Sequence, residues 1–154
     1  MHWQCLYQGV VEAGWLDEYD HVNFLEYQRV ADLASTSFWN MAMQTAQTKG
    51  DFVIVETYVR YLNELRLGDA VTIHSAIAGF DAKRIHFIHQ IQSGDKVACV
   101  IELIVLSFDL ATRRSARFPE SLSDWLRAFQ QAPDESQPQS PPLPTLSLPG
   151  GRCG

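Results

Sequence analysis

Between residues 15 and 27 the chain reads Trp-Leu-Asp-Glu-Tyr-Asp-His-Val-Asn-Phe-Leu-Glu-Tyr, and most of the side chains that could do chemistry sit there. Asp17 offers a carboxylate, able to act as a nucleophile or as a general base on water. Asn23 is an N-cap type, and Glu26 three positions later completes a capping-box spacing that predicts a helix starting near residue 23. The first turn of a helix carries unsatisfied N–H groups and the positive end of the dipole. His21 is placed to hydrogen-bond the loop or a substrate, and Tyr27, one turn into the helix, to brace the loop. Taken alone, Asp17 would read as a solvated loop residue or an alternative cap. No Gly-x-Ser-x-Gly elbow and no paired Cys and His compete with it as the reactive centre.

These residues need elements to hold them. Residues 2–13 read as a strand that ends before the turn-prone stretch 17–20. Tyr27, Val30, Ala31, Ala34, Phe38, Met41 and Ala42 then follow helical spacing and form one apolar stripe. From Phe52 the period changes to two. FVIVETYVRYL, AVTIHSAIAGF, RIHFIHQIQ and KVACVIELIVLSFDL are four strand candidates, separated by turn signals at Leu67-Gly68-Asp69, at 80–83 and at Ser93-Gly94-Asp95. Connections this short favour antiparallel neighbours. Pro119 opens a short helix over SLSDWLRAF. One long helix cannot hide a whole five-stranded sheet, so the pattern predicts that an edge or face pairs with another subunit, as a homodimer or homotetramer.

Composition narrows the classes. The 154 residues are 46% hydrophobic and 19% charged, enough apolar material for a core and too much for a disordered chain. The net charge of −6 lacks the basic face that nucleic acid or an anionic membrane would require. Six acids stand against one base in residues 1–44, so the acidity gathers around the Asp17 segment. Cys5, Cys99 and Cys153 show neither disulfide nor zinc-ligand spacing, and no apolar run is long enough to span a membrane. A cytoplasmic protein is expected. Six of seven prolines fall in 133–149, which predicts a folded domain over 1–130 and a disordered, Pro/Ser/Gln-rich tail over 131–154. The PPLP run within that tail is read as solvated chain.

The motif resembles that of hotdog-fold acyl-CoA thioesterases of the 4-hydroxybenzoyl-CoA type. Asp17, the triplet His21-Val22-Asn23 and Tyr27 fall at the positions where that family carries an aspartate, an H-V/M-N triplet and a tyrosine. The family has Gly immediately before the His, where this chain has Asp20. VETYVRYLNELRLGD at 55–69 is similar to the family's second-strand region. DAKRIHFIHQI at 81–91, Glu102, ATRR at 111–114 and FP at 118–119 resemble the branch acting on betainyl-CoA in carnitine degradation.

The resemblance implies an α+β fold, a curved five-stranded antiparallel sheet wrapped around one long helix. It implies hydrolysis of a small acyl-CoA thioester, with Asp17 catalytic and Trp15, Tyr19, His21, Asn23 and Tyr27 around the substrate. No cofactor or metal is implied beyond the coenzyme A of the substrate itself. A thiolate departs without strong acid assistance, so one carboxylate suffices, aided by the helix terminus at the carbonyl oxygen. Lys83, Arg84, Arg113, Arg114 and Arg117 are candidate contacts for the coenzyme A phosphates. For a trimethylammonium acyl group, Trp3, Trp15, Tyr19, Phe24, Trp39 and Tyr58 are candidate cage rings. Hotdog sites lie between subunits, so Glu56 or Glu64 is a candidate to approach the partner's aspartate. His86 and His89, three apart on a strand, point to opposite faces and share no metal. Glu102, inside an apolar strand, must be paired or protonated if buried.

Overall fold

The computed structural model describes residues 1–133 together with 138, 145, 146 and 148. Strand β1 spans Trp3–Val10, helix α1 Phe24–Thr45, and strands β2 to β5 span Asp51–Tyr61, Ala70–Phe80, Arg84–Ser93 and Lys96–Asp109. A two-residue strand β6, Arg114–Ser115, pairs with the end of β5, and helix α2 covers Glu120–Gln131. All pairings are antiparallel, in the order β1-β3-β4-β5-β2.

The period-two reading of the sequence matches the strands, and the apolar stripe of α1 is the buried face of that helix. Tyr27, Val30, Ala31, Ala34, Phe38 and Ala42 are buried against the sheet, with Met41 packed beside them. Small residues at 31, 34 and 42 let the helix lie close to the strands, and Phe38 fills the centre edge-on to Phe87, Trp125 and Phe129. Helix α2, opened by Pro119 as its N-cap, closes the core with Leu122 and Leu126. No described helix is long and apolar enough to cross a membrane.

One turn signal has a different outcome. Leu67-Gly68-Asp69 is not a hairpin between β2 and β3, because β2 pairs with β5 at the far edge of the sheet. Residues 62–69 instead cross three strand spacings, roughly 14 Å. Leu65 is buried on the way, and the crossing is fixed by Gly68 N–H to the Val11 carbonyl, Val11 N–H to the Asp69 carbonyl, and Arg66 N–H to the Asp69 carboxylate. Gly68 has φ +85°, which a side chain would strain. This crossover brings residues 61–64 beside the start of α1.

The face of the sheet away from α1 is also covered. Trp3, Ala76, Ile88 and Val100 form a second apolar cluster there. Beside it Glu102, fully buried, accepts from His86 Nε2 at 2.9 Å and lies 3.7 Å from Arg60. The backbone N–H groups of Thr145 and Leu146 also donate to this carboxylate, at 2.8–2.9 Å. Burial pushes Glu102 up, but the Leu146, Thr145 and His86 hydrogen bonds outweigh it and hold the carboxyl below its usual range. Glu102 is therefore paired rather than protonated. Most of the stretch expected to be a disordered tail, PPLP and Cys153 included, lies outside the described residues, and α2 itself runs through Gln131.

Candidate functional site

The loop before α1 is a tight, hydrogen-bonded structure. Leu16 bridges Val22, Asp17 N–H donates to the His21 carbonyl, and Asn23 N–H donates to the Trp15 carbonyl. Inside this loop Asp17 Oδ1 accepts from the backbone N–H groups of Tyr19 at 2.9 Å and His21 at 3.2 Å. Both bonds fall on one oxygen, and Oδ2 has no partner among the described residues. The carboxylate is thus held in place with one oxygen available for chemistry.

Asp20, the departure from the family's Gly, has φ +58°. That is the left-handed conformation for which Gly is the default, and Asp is among the few other residues that enter it at modest cost. The loop keeps the backbone path that a Gly would give it.

Asn23 is the N-cap, its Oδ1 accepting from Leu25 N–H at 3.0 Å. The capping box does not close, because Glu26 turns to Arg29 with a 2.6 Å contact from Nε. With Leu25 N–H on the Asn23 side chain and Glu26 N–H on the Asn23 carbonyl, the Phe24 N–H is left without a partner among the described residues.

A cavity of about 430 Å³ opens at this helix terminus, lined by Asp17, His21, Val22, Phe24, Tyr27, Tyr61, Leu62, Asn63 and Glu64. Asp17, His21 and Tyr27 of the expected set meet here, and Asn23 holds the terminus. Tyr27 is buried edge-on to Tyr61 at 5.5 Å, and Tyr61 donates its hydroxyl to the Phe24 carbonyl at 3.3 Å. Burial raises the Tyr27 phenol above its ordinary value, against a backbone hydrogen bond at Leu65, so it stays a neutral brace.

Trp15 and Tyr19 do not line this cavity. Trp15 is buried under the Arg29 guanidinium, 5.2 Å from its ring, and anchors the loop from behind. Tyr19 projects into solvent and contributes only its backbone N–H. Of the other aromatic candidates Phe24 lines the cavity, while Trp3 is on the opposite face of the sheet and Trp39 stacks on Phe52. Tyr58 stands on β2 beside Arg60.

Glu64, expected only as a candidate to approach the partner's aspartate, also reaches the cavity of its own chain. It lines the same cavity as Asp17 of its own chain, with His21 Nε2 3.2 Å from its Oε1, while Glu56 is exposed on β2. Its only sequence signal was its position in the polar LNEL break that ends a strand. Tyr61 was missed for the same reason.

The proposed phosphate contacts gather at the other end of the sheet. Lys83 Nζ contacts Ser115 Oγ at 3.2 Å, Arg113 stacks over Phe108 at 5.6 Å, and Arg114 pairs in the β5–β6 hairpin. Arg84 is bound to Asp81 through Nε at 2.9 Å and a terminal nitrogen at 2.5 Å. Burial pushes Asp81 up, yet Arg84 and the N–H groups of Lys83 and Arg84 hold its carboxyl below the ordinary range. Arg117 lines a separate depression beside α2. Tyr61, at the cavity, is opposite Cys99, whereas Phe108 is nine residues further along β5, roughly 30 Å away. One subunit therefore does not bring these bases to Asp17.

Comparison with known proteins places this geometry in a family. The chain is 28% identical over 142 residues to the L-carnitine dehydrogenase/betainyl-CoA thioesterase of Agrobacterium fabrum, covering 83% of this chain and 28% of that protein. It thus spans little more than a quarter of the length of that relative. A Pseudomonas putida KT2440 protein assigned provisionally as a thioesterase superposes with a TM-score of 0.76 at 26% identity, covering 97% of this chain and 99% of the other. A Staphylococcus aureus protein solved in complex with CoA superposes equally well, TM-score 0.76, at 22% identity over 97% and 98% of the two chains. Residues 11–126 match the Thioesterase-like superfamily, and that span contains the whole loop, α1 and all of β2 to β5. The fold is the hotdog arrangement of sheet around helix, and the chain belongs to the Thioesterase-like superfamily.

Proposed function

We propose that the protein hydrolyses a small acyl-CoA thioester to the free acid and CoA, with betainyl-CoA as the favoured substrate. The observation that carries this is the Asp17 carboxylate, tied by one oxygen at the mouth of a cavity whose floor is the N-terminus of α1. The carbonyl oxygen would take the unpartnered Phe24 N–H as it gains charge, an interaction worth about 3–4 kcal/mol in comparable oxyanion sites. As a base, Asp17 takes a proton from water while the water oxygen bonds to the carbonyl carbon. Collapse of the tetrahedral centre then breaks the C–S bond and expels the CoA thiolate, which is protonated by solvent. As a nucleophile, Asp17 would form a mixed anhydride that water cleaves. Either route needs only water and the carboxylate, with no cofactor beyond the CoA of the substrate. The betainyl preference is supported by the name of the A. fabrum relative.

The working unit in this reading is a homodimer in the cytoplasm. Strand β2 is an edge of the sheet, with Ile54, Val55 and Tyr58 exposed along it, and such an edge is a template for pairing. Antiparallel pairing of two copies of β2 would set Tyr61 of one opposite Asp51 of the other. The bases at the end of the partner's β5 would then lie about two strand spacings, roughly 10 Å, from the cavity. That geometry would deliver the CoA phosphates to Lys83, Arg113 and Arg114 of the neighbouring subunit.

The test is a panel of CoA esters, betainyl, short aliphatic and aromatic, incubated with the protein while free thiol is titrated. Release of thiol with turnover is the expected outcome, fastest with betainyl-CoA. A protein that binds the esters and leaves them intact over hours is a binding module instead.

A further inference from the structure

We propose that Glu64 selects the acyl group, favouring one with a fixed positive charge, and that the rings of Phe24 and Tyr61 complete that selection. The inference rests on the thioesterase reading and assigns the specificity of the same cavity. The cavity lining contains two carboxylates, Asp17 and Glu64, and neither lysine nor arginine. Asp17 is committed to the reaction and tied to the loop backbone. Glu64 comes from the crossover after β2, a different part of the chain.

Glu64 keeps its charge toward the cavity. His21 Nε2 lies 3.2 Å from its Oε1, close enough to orient the carboxylate at the cavity wall. Arg66 is 3.6 Å from the other oxygen, but its side chain is 77% exposed and its charge is screened by water. Lys96 Nζ grips the Glu64 carbonyl oxygen, which holds the backbone rather than neutralising the carboxylate. The segment is thus fixed from outside while the side chain lines the cavity.

A quaternary ammonium group has no N–H to donate, so a site can read it only by opposite charge and by aromatic faces. Phe24 and Tyr61, both exposed, flank the same space, and Tyr27 packs edge-on against Tyr61. An acyl group bearing a carboxylate would instead meet two like charges. The cavity is therefore built to accept cationic acyl groups, tolerate neutral ones and exclude anionic ones.

The experiment compares betainyl-CoA with its uncharged isostere, tert-butylacetyl-CoA, in which carbon replaces the ammonium nitrogen. The wild-type protein should show the higher kcat/KM for betainyl-CoA. Glu64→Gln, close in shape, should lower the betainyl to tert-butylacetyl ratio by roughly three- to tenfold, the size expected for one charge contact in a half-exposed site. Tyr61→Leu should lower the same ratio. A purely structural clasp on His21 would slow both esters together and leave the ratio in place. Hydrolysis of both esters with no wild-type preference, or with a ratio unmoved by Glu64→Gln, overturns this assignment while leaving the hydrolase standing. No thiol from either ester overturns the hydrolase and the assignment together.

Discussion

At the scale of single residues, the loop before α1 holds one carboxylate in a fixed position. Asp17 is held by two backbone N–H groups that the turn at 17–20 supplies, and that turn depends on Asp20 at φ +58°. A β-branched residue resists that conformation by about 1–2 kcal/mol, whereas Gly enters it freely. Asp20→Gly should therefore fold and turn over as the parent does. Asp20→Val should lose about 1–2 kcal/mol in urea denaturation and most of its activity, because the loop that carries Asp17 opens. An Asp20→Val protein with unchanged stability and rate would show that the turn does not position Asp17. The motif from Trp15 to Tyr27 was legible in sequence because loop, cap and helix are contiguous. Glu64 and Tyr61 were not, since they reach the cavity only through a crossover whose course depends on distant strand pairing.

At the scale of elements, α1 is held to the sheet by more than its apolar stripe. His89 of β4 is fully buried between Ser35 of α1, 2.9 Å from Nε2, and Ser75 of β3, 2.7 Å from Nδ1. Its opposite orientation to His86, which meets Glu102 on the other face, follows the strand period as expected. Burial pushes the His89 imidazole down to about 3. The unfolded chain therefore takes up a proton below about 6.5 that the folded chain refuses. Stability from this residue is complete above pH 6.5 and drains away as the pH falls toward 3, by at most about 1.4 kcal/mol per pH unit for one proton. Denaturation midpoints at pH 7.5 and 5 should show this, and His89→Gln should have a smaller pH slope in the same window. An equal slope in both proteins would place the acid sensitivity elsewhere. The strands themselves were readable from alternation, yet their order was not. Alternation reports which residues face inward and says nothing of which edge a strand joins, so the Gly68 turn looked like a hairpin and is a crossover.

At the scale of the molecule, the two ends of β5 separate two kinds of chemistry. Asp17, from the acidic first third that dominates the net charge of −6, and Glu64, from the crossover after β2, line the cavity at one end. The bases that suit phosphate lie at the opposite end, with Lys83, Arg113 and Arg114. Composition spoke against a nucleic-acid partner but could not reveal this polarity, which exists only once β5 runs the length of the sheet. It is also why pairing across β2 completes the site in the proposed dimer. In the proposed reaction the carboxylate of Asp17 performs the hydrolysis. Thiol release from betainyl-CoA by the wild-type protein and by Asp17→Asn, matched for circular dichroism and urea midpoint, tests it directly. The expected result is a folded variant with turnover reduced by at least about 10²-fold, the lower bound for losing a general base. A folded Asp17→Asn protein that releases thiol at the wild-type rate would contradict it.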